Sequence, residues 1–356
     1  SLLSRQCTSF AGLNYLQISM LRIGLLGVGH LGKIHLKCIR LADEHLELVG
    51  FYDPDSDQAA RVAEETGVRA FETYEDLLQE VDAVDVVTPT PTHHGLVKQA
   101  LLAGKHVFVE KPLTHTLAEA AELMTISQEA GLVVQVGHVE RFNPALLALG
   151  EREIDPYFIE AHRLATFNPR GTDVSVVLDL MIHDLDIVLK LAKGEVVEVR
   201  ASGVAVVSNT PDIVNARVEF SGGAVANLTA SRISLKQMRK IRLFQPDAYI
   251  SLDFLDKETQ IVRLFEADAD NMPEDGQAFP LETPKGSRMI HVSQPEVGPV
   301  NAIQMELESF AKSVADNRPA EVPIQDGFRA LKLAHRITEV MKERQADLPN
   351  PKIPRV

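Results

Sequence analysis

The sequence has no tryptophan and two cysteines, Cys7 and Cys38, far apart in the chain. Two distant thiols supply neither a disulfide framework nor a cysteine metal site, and they suit a reducing compartment, so a cytoplasmic location is expected. Long apolar runs and internal repeats are also lacking, which excludes membrane-spanning helices and solenoids. Cations are the minority: 36 Lys and Arg against 50 Asp and Glu, a net charge of −14. That balance argues against nucleic acid, which needs clustered Lys and Arg, but a few local cations would still hold a small anionic ligand. The first nineteen residues carry Arg5 but no unbroken apolar stretch and no clean cleavage site, so a signal peptide is not expected there. Met20 directly precedes the first convincing strand; it is expected to be the native start, with residues 1–19 a non-native or disordered leader.

What is present is ordinary globular material: 356 residues, 45% hydrophobic and 24% charged, enough for two cores. Apolar runs at Leu21–Leu26, Glu47–Tyr52, Val68–Phe71, Ala83–Val87, His106–Val109 and Leu132–Val136 read as strands. Helical patterns lie between them at Leu31–Leu41, Ser56–Thr66, Tyr74–Glu80, His93–Ala103 and Leu117–Ala130. Continuously apolar strands alternating with helices predict a doubly wound α/β unit with a parallel sheet. Beyond residue 138 the pattern changes. A helix near Pro144–Gly150, a strand over Tyr157–Phe167 and one long helix over Asp173–Leu191 precede β-rich runs at Val196–Val207, Ile213–Phe220, Ala224–Ser231, Lys240–Gln245, Ala248–Phe254 and Gln260–Phe265. Short turns between some of these predict an α+β unit with a large, mainly antiparallel sheet. Residues 267–298, rich in Pro, Glu, Asp and Gly, read as a surface loop, followed by helices over Ala302–Asp316 and Asp326–Gln345. The expected domains are 20–138, 139–330, and a C-terminal helix and tail over 331–356 that pack back on both.

Gly27-Val28-Gly29-His30-Leu31-Gly32 follows a strand and opens a helix, and Asp53 ends the next strand about twenty residues on. This arrangement is a Rossmann dinucleotide fingerprint: a tight turn at Gly27, backbone approach to a pyrophosphate at Gly29, close helix packing at Gly32, and free N–H groups at the helix start. Asp53 would accept from ribose hydroxyls. Asp55 and Asp57 follow it and no cation precedes Arg61, so a 2′-phosphate would meet like charge and NAD is expected over NADP. The run Thr88-Pro89-Thr90-Pro91-Thr92-His93-His94 reads as an extended loop at the carboxyl edge of the sheet, either ligand-binding or a plain connector.

Glu110-Lys111-Pro112 ends the fifth strand candidate, where Lys111 by itself reads as a solvated surface cation sooner than as a catalytic one. On the long helix, Asp179, His183, Asp186 and Lys190 fall at i, i+4, i+7 and i+11, a polar stripe on an apolar rod that lines either water or a pocket. The histidines show no ligand spacing, so no metal site is expected.

Taken together, the glycine loop at 27–32, the Thr88–His94 run, AGKHVFVEKPL at 103–113, the Asp179-x-x-x-His183 pair and the tail PIQDGFRALKLAHRITEVM resemble the glucose–fructose oxidoreductase, inositol dehydrogenase and MocA family. The resemblance covers the chain from about Leu21 to the closing helices. It implies an NAD-dependent dehydrogenase acting on a carbinol, with Lys111, Asp179 and His183 as catalytic residues: His183 suited to accept the hydroxyl proton, Asp179 orienting the imidazole, Lys111 stabilising the alkoxide. It leaves open whether His183 or Lys111 is the formal base. His93 and Glu110 match positions near the nicotinamide. Expected cofactor contacts are Gly27, Gly29, His30, Leu31, Gly32, Asp53, Thr88, Pro89, Thr90, His93, Glu110, Lys111 and His138.

The segments Val136–Pro144 and Asp179–Asp186 look like the branch of nucleotide-sugar 3-dehydrogenases, which includes the UDP-N-acetylglucosamine 3-dehydrogenases. That implies oxidation of the 3-OH of a UDP-N-acetyl-hexosamine, the alternatives being an inositol, free-sugar or sugar-phosphate dehydrogenase, or a non-catalytic NAD-binding regulator. The stretch SRISLKQMRKIR at 231–242, together with Arg163 and Arg170, supplies cations that either pair with a diphosphate or solvate a strand edge or subunit contact. Expected substrate contacts are Arg163, Arg170, Arg232 and Asp184. The short loop FNPRGTDVS before the long helix is a departure that would reshape the pocket. The resemblance also implies a homodimer or homotetramer built through the open face of the second sheet.

Overall fold

The computed structural model describes residues 20–168, 174–269, 272, 273 and 275–347; the expectations placed on residues 1–19, on Arg170 and on the tail beyond Asp347 lie outside them. Five parallel strands, β1 (Leu21–Leu26), β2 (Leu46–Tyr52), β3 (Ala83–Val86), β4 (His106–Glu110) and β5 (Val134–Gly137), form a sheet in the order β2-β1-β3-β4-β5. Helices α1 (His30–Leu41), α2 (Ser56–Thr66), α3 (Tyr74–Glu80), α4 (Thr90–Leu102) and α5 (Leu117–Ala130) cover it. Strands β3 and β5 are buried at every position, as helices on both faces require. The helix starts are written locally: Thr116 and Glu119 form a reciprocal capping box ahead of α5.

Two expectations for this unit are corrected. Val68–Phe71 is not a sixth strand; it makes one bridge, at Ala70, to Phe51 on the sheet edge. Its pairing is two backbone hydrogen bonds, from the Phe51 N–H to the Arg69 carbonyl and from the Phe71 N–H to the Phe51 carbonyl, while the Arg69 side chain covers the Phe71 ring. Nor is Thr88–His94 an extended loop. The chain leaves the strand at Val87 and α4 begins at Thr90, with Pro91 in the first turn, where a missing N–H costs no hydrogen bond.

After a short 3₁₀ turn at Val139–Phe142 and α6 (Pro144–Leu147), β6 (Phe158–Leu164) enters a second sheet. The long helix is not uniform. A π turn at Val177–Met181 precedes α7 (Ile182–Leu191), and so changes the side-chain phase between Asp179 and His183. Strands β7 (Val196–Val204), β8 (Ile213–Phe220), β9 (Val225–Ser231), β10 (Met238–Gln245), β11 (Ala248–Asp253), β12 (Glu258–Glu266), β13 (Gln277–Thr283) and β14 (Gly286–Ser293) complete a nine-stranded sheet in the order β13-β14-β12-β11-β10-β6-β9-β8-β7. Only β6 and β9 pair in parallel. The β13–β14 hairpin replaces the surface loop expected over 267–298. It escaped the pattern because β13 is an exposed edge strand, where polar residues and Pro280 are tolerated.

Two helices close the chain, α8 (Ala302–Ala315) and α9 (Ile324–Asp347). α8 packs on the first sheet: Leu307 and Phe310 join Ile23, Leu25 and Phe108 in one core. α9 covers β7 and α7 with Leu333, Ile337 and Met341, while Leu331 enters the first unit's core. No helix among the described residues is long and apolar enough to cross a membrane. The two sheets meet where the carboxyl ends of β4 and β5 face α7, β6 and β10.

Candidate active site

Gly27 has φ +88°, and a Cβ there would come within 2.9 Å of Thr88, so the turn after β1 admits only glycine without strain. A Cβ on Gly32 would lie 2.0 Å from the Gly27 carbonyl oxygen. Above Gly29 the space is open, and no side chain caps the α1 N-terminus. The Asp53 carboxylate accepts from the N–H groups of Val28 and Asp55, at 2.8 and 2.9 Å, and from the Gln58 amide at 3.2 Å. It thereby ties the glycine turn to the end of β2. An open backbone cradle, an uncapped helix N-terminus and an acid at the second strand fit a dinucleotide. Pro89 caps α4 at the same sheet edge, and His30 and Leu31 open α1.

A cavity of about 320 Å³ lies between the sheets, with Leu31, Lys111, Asp179, His183, Arg163 and Arg239 in its wall. Lys111, at the end of β4, donates through Nζ to the backbone carbonyl of Asp179 at 2.8 Å and lies 3.6 Å from its carboxylate. The catalytic candidates thus share one cavity. No hydrogen bond joins Asp179 to His183: the carboxylate faces Lys111, and His183 Nδ1 has no partner among the described residues. Burial, followed by the positive charges of Lys111 and Arg163, holds the half-buried His183 well below the ordinary histidine range, so the imidazole is neutral. His138, at the end of β5, is buried with neither ring nitrogen bonded among the described residues, and burial likewise keeps it neutral.

His93 is buried on α4, with Nδ1 3.0 Å from the Pro112 carbonyl and Nε2 2.8 Å from that of Thr88. Burial keeps this imidazole neutral, so its single N–H donates to one of the two carbonyls while the ring lies between the end of β3 and the turn after β4, which contains the cis Lys111–Pro112 bond. The polar helical stripe divides among three environments. Asp179 and His183 line the cavity, Asp186 is buried in a bidentate pair with Arg141 at 2.7 Å, and Lys190 pairs at the surface with Glu321.

Of the expected substrate contacts, Arg163 and Asp184 bind each other. Arg163 is buried and also donates to Glu140 at 2.8 Å, so its charge is matched by two carboxylates. Arg232 donates to the Val174 carbonyl and sits 3.9 Å from buried Asp212.

One cluster had no signal in residue spacing. Beneath Lys111, buried His35 has Nδ1 2.9 Å from Asp85 and Nε2 3.2 Å from Glu110. Glu306 of α8 completes the group, fully buried with neither carboxylate oxygen hydrogen-bonded among the described residues. Burial alone would lower His35, but the charges and hydrogen bonds of Asp85 and Glu110 outweigh it and raise it well above the ordinary value. Glu306 is raised well above the carboxylate range by burial and by the Glu110 charge. Ligand atoms of His35, Glu110 and Glu306 lie within 4.8 Å of one another. Protons on His35 and Glu306 reduce the charge that this group would otherwise concentrate.

Comparison with known proteins agrees with this geometry. Residues 21–138 match the GFO/IDH/MocA oxidoreductase family, NAD-binding Rossmann fold, and residues 157–247 match the GFO/IDH/MocA C-terminal domain. The UDP-N-acetylglucosamine 3-dehydrogenase of Acidithiobacillus ferrooxidans is 37% identical over 292 residues, spanning 82% of this chain and 88% of that protein. Its solved structure superposes with a TM-score of 0.80 at 36% identity, covering 91% of this chain and 98% of that one. The NAD-dependent scyllo-inositol 2-dehydrogenase of Bacillus subtilis is 34% identical over 209 residues, 53% of this chain and 60% of that protein. With a nucleotide cradle on one sheet, a Lys–Asp–His cavity beneath the other, and relatives matched along most of its length, the chain belongs to the GFO/IDH/MocA family of NAD-binding oxidoreductases.

Proposed function

We propose that the chain oxidises the 3-hydroxyl of a UDP-N-acetyl-hexosamine to a ketone, with NAD as acceptor. The observation that carries this reading is the cavity that gathers a cation, Lys111, and a neutral imidazole, His183, at the carboxyl edge of a nucleotide-binding sheet. Oxidising a secondary alcohol removes a hydride from carbon and a proton from oxygen. Bound NAD supplies the hydride acceptor. His183 takes the hydroxyl proton as the C–O bond becomes a carbonyl, and Lys111 stabilises negative charge on that oxygen. Asp179 holds the lysine rather than the imidazole. Glu110 hydrogen-bonds the Lys111 backbone N–H at 3.1 Å and, with His93, positions the turn that carries the amine.

The choice of a UDP-sugar rests on the similarity to the Acidithiobacillus enzyme along nearly its whole length. Preference for NAD over NADP rests on Asp53, Asp55 and Asp57, which would repel a 2′-phosphate. A homodimer or homotetramer in the cytoplasm completes the reading.

The deciding experiment incubates the protein and NAD with UDP-N-acetylglucosamine, inositols and free sugars, following absorbance of the reduced nicotinamide and product mass. A UDP-N-acetyl-hexosamine lighter by two hydrogens is the expected product. Oxidation of inositols or free sugars with no reaction of any UDP-sugar would replace the substrate, and an equal or lower KM for NADP would replace the cofactor.

A further inference from the structure

Arg163 on β6 and Arg239 on β10 are direct partners across an antiparallel strand pair. Such residues project from the same face with Cβ atoms roughly 5 Å apart, and like charges so placed repel. This is the face buried beneath α7, carrying Ile159, Ala161, Ile241 and Leu243. The neighbouring cations of β10 lie on the opposite face, where Lys240 pairs with Asp253 and Arg242 with Glu160.

The two arginines differ in how their charge is met. Arg163 is buried between Asp184 and Glu140. Arg239 has a side chain 48% exposed, and its single ion-pair contact among the described residues is Glu140 at 3.9 Å. Glu140 already accepts from Arg163 at 2.8 Å and from the Asn143 amide at 2.9 Å. Arg239 therefore shares its one carboxylate, beyond hydrogen-bond distance, and presents a half-exposed guanidinium on the rim of the cavity that holds Lys111 and His183, with Gln237 also in the wall. A further anion on the exposed side of Arg239 would give its guanidinium a direct partner, and the planar fork of a guanidinium matches phosphate oxygens in bidentate fashion.

We propose that Arg239, assisted by Gln237, forms an anion subsite that takes the diphosphate of a nucleotide-sugar substrate and sets its sugar toward Lys111 and His183. The proposal rests on the nucleotide-sugar reading above and singles out Arg239 from the cations of the 231–242 stretch, in place of Arg163 and Arg232.

The test titrates UDP into the full chain saturated with NAD, so that the dinucleotide cradle is filled, by calorimetry. Arg239→Ala is expected to weaken UDP binding roughly 10- to 100-fold, the loss of one charge-assisted contact. Arg239→Lys should fall between, and Arg242→Ala, on the opposite face, should bind as the parent does. The KM for UDP-N-acetylglucosamine should rise in step with the loss of UDP affinity, with thermal unfolding confirming that each variant folds. Unchanged UDP affinity in Arg239→Ala, or a parent protein that binds no UDP, overturns the subsite. UDP binding that depends on Arg239 in an enzyme oxidising only inositols would uphold the subsite and refute the substrate reading. Turnover of the UDP-sugar with an unaltered KM in Arg239→Ala would do the reverse.

Discussion

The Lys111 amine and Asp179 are joined through the backbone: Nζ donates to the Asp179 carbonyl at 2.8 Å, across 68 positions of sequence. Because the acceptor is a main-chain oxygen in a π turn, the contact holds the amine whichever way the carboxylate turns. The first sheet thus presents its cation to the cavity through the helix of the second. Lys111→Ala removes a donor aimed at the developing alkoxide, and turnover is expected to fall by about 10²- to 10³-fold. NAD titration should show the cofactor still bound. A Lys111→Ala enzyme with parental kcat would remove the amine from the reaction.

His183 gives the pH dependence. Its pKa is depressed by burial and by the charges of Lys111 and Arg163, so the free enzyme keeps a neutral base well below pH 6.5. The acid limb of a kcat/KM profile should therefore lie below the ordinary histidine range, with activity flat across neutrality. His183→Asn should cost about 10²- to 10⁴-fold in kcat. An acid limb centred at or above 6.5 would contradict a neutral, half-buried imidazole.

What could be read from the sequence was what is encoded locally. Continuous apolar runs located β1 to β5 to within about two residues, because strands buried on both faces have no polar alternation to blur them. The glycine turn at 27–32 and the end of β4 were legible for a related reason: backbone constraints at a sheet edge demand particular residues at fixed offsets. Edge elements were not legible, since the exposed β13 carries no hydrophobic signature. Long-range charge pairing escaped as well. Arg163 was a plausible phosphate ligand until β6 and α7 brought it to Asp184 and Glu140, and only the β6–β10 register placed Arg239 on the cavity face. The His35, Asp85, Glu110 and Glu306 cluster joins four elements, a juxtaposition that no spacing records.

That cluster predicts how stability follows pH. Glu306 is raised well above its ordinary 4.5, so the folded chain keeps a proton that the unfolded chain releases above that value. Stability is lost as pH climbs from there toward the folded pKa. His35 is raised above 6.5, so its contribution is complete below that pH and is lost as pH passes its folded value. Both effects lower stability as pH rises, that of Glu306 from its ordinary 4.5 upward and that of His35 from 6.5 upward. Glu306→Gln keeps the neutral shape without the proton and should flatten the slope while stabilising the protein at pH 8. Denaturant midpoints at pH 6, 7 and 8 measure this; parallel slopes for variant and parent would place the proton elsewhere.

Two ion pairs on α7 allow a comparison in which burial is the main variable. Asp186 meets Arg141 at 2.7 Å with both side chains almost wholly buried, whereas Lys190 meets Glu321 at 3.1 Å with both exposed. Removing one partner of the buried pair strands a desolvated charge, here relieved only in part by Asp326 at 3.0 Å from Arg141. Asp186→Ala should destabilise the chain by about 3–5 kcal/mol. Water replaces the lost partner of an exposed pair, so Lys190→Ala should cost less than about 1 kcal/mol. Both changes sit in the same helix and gain intrinsic helix propensity, Asp186→Ala more than Lys190→Ala, so propensity works against the expected difference and urea titrations that still show it report the electrostatic cost. Equal shifts would mean that water reaches the Arg141 guanidinium and that the buried network contributes no more than a surface pair.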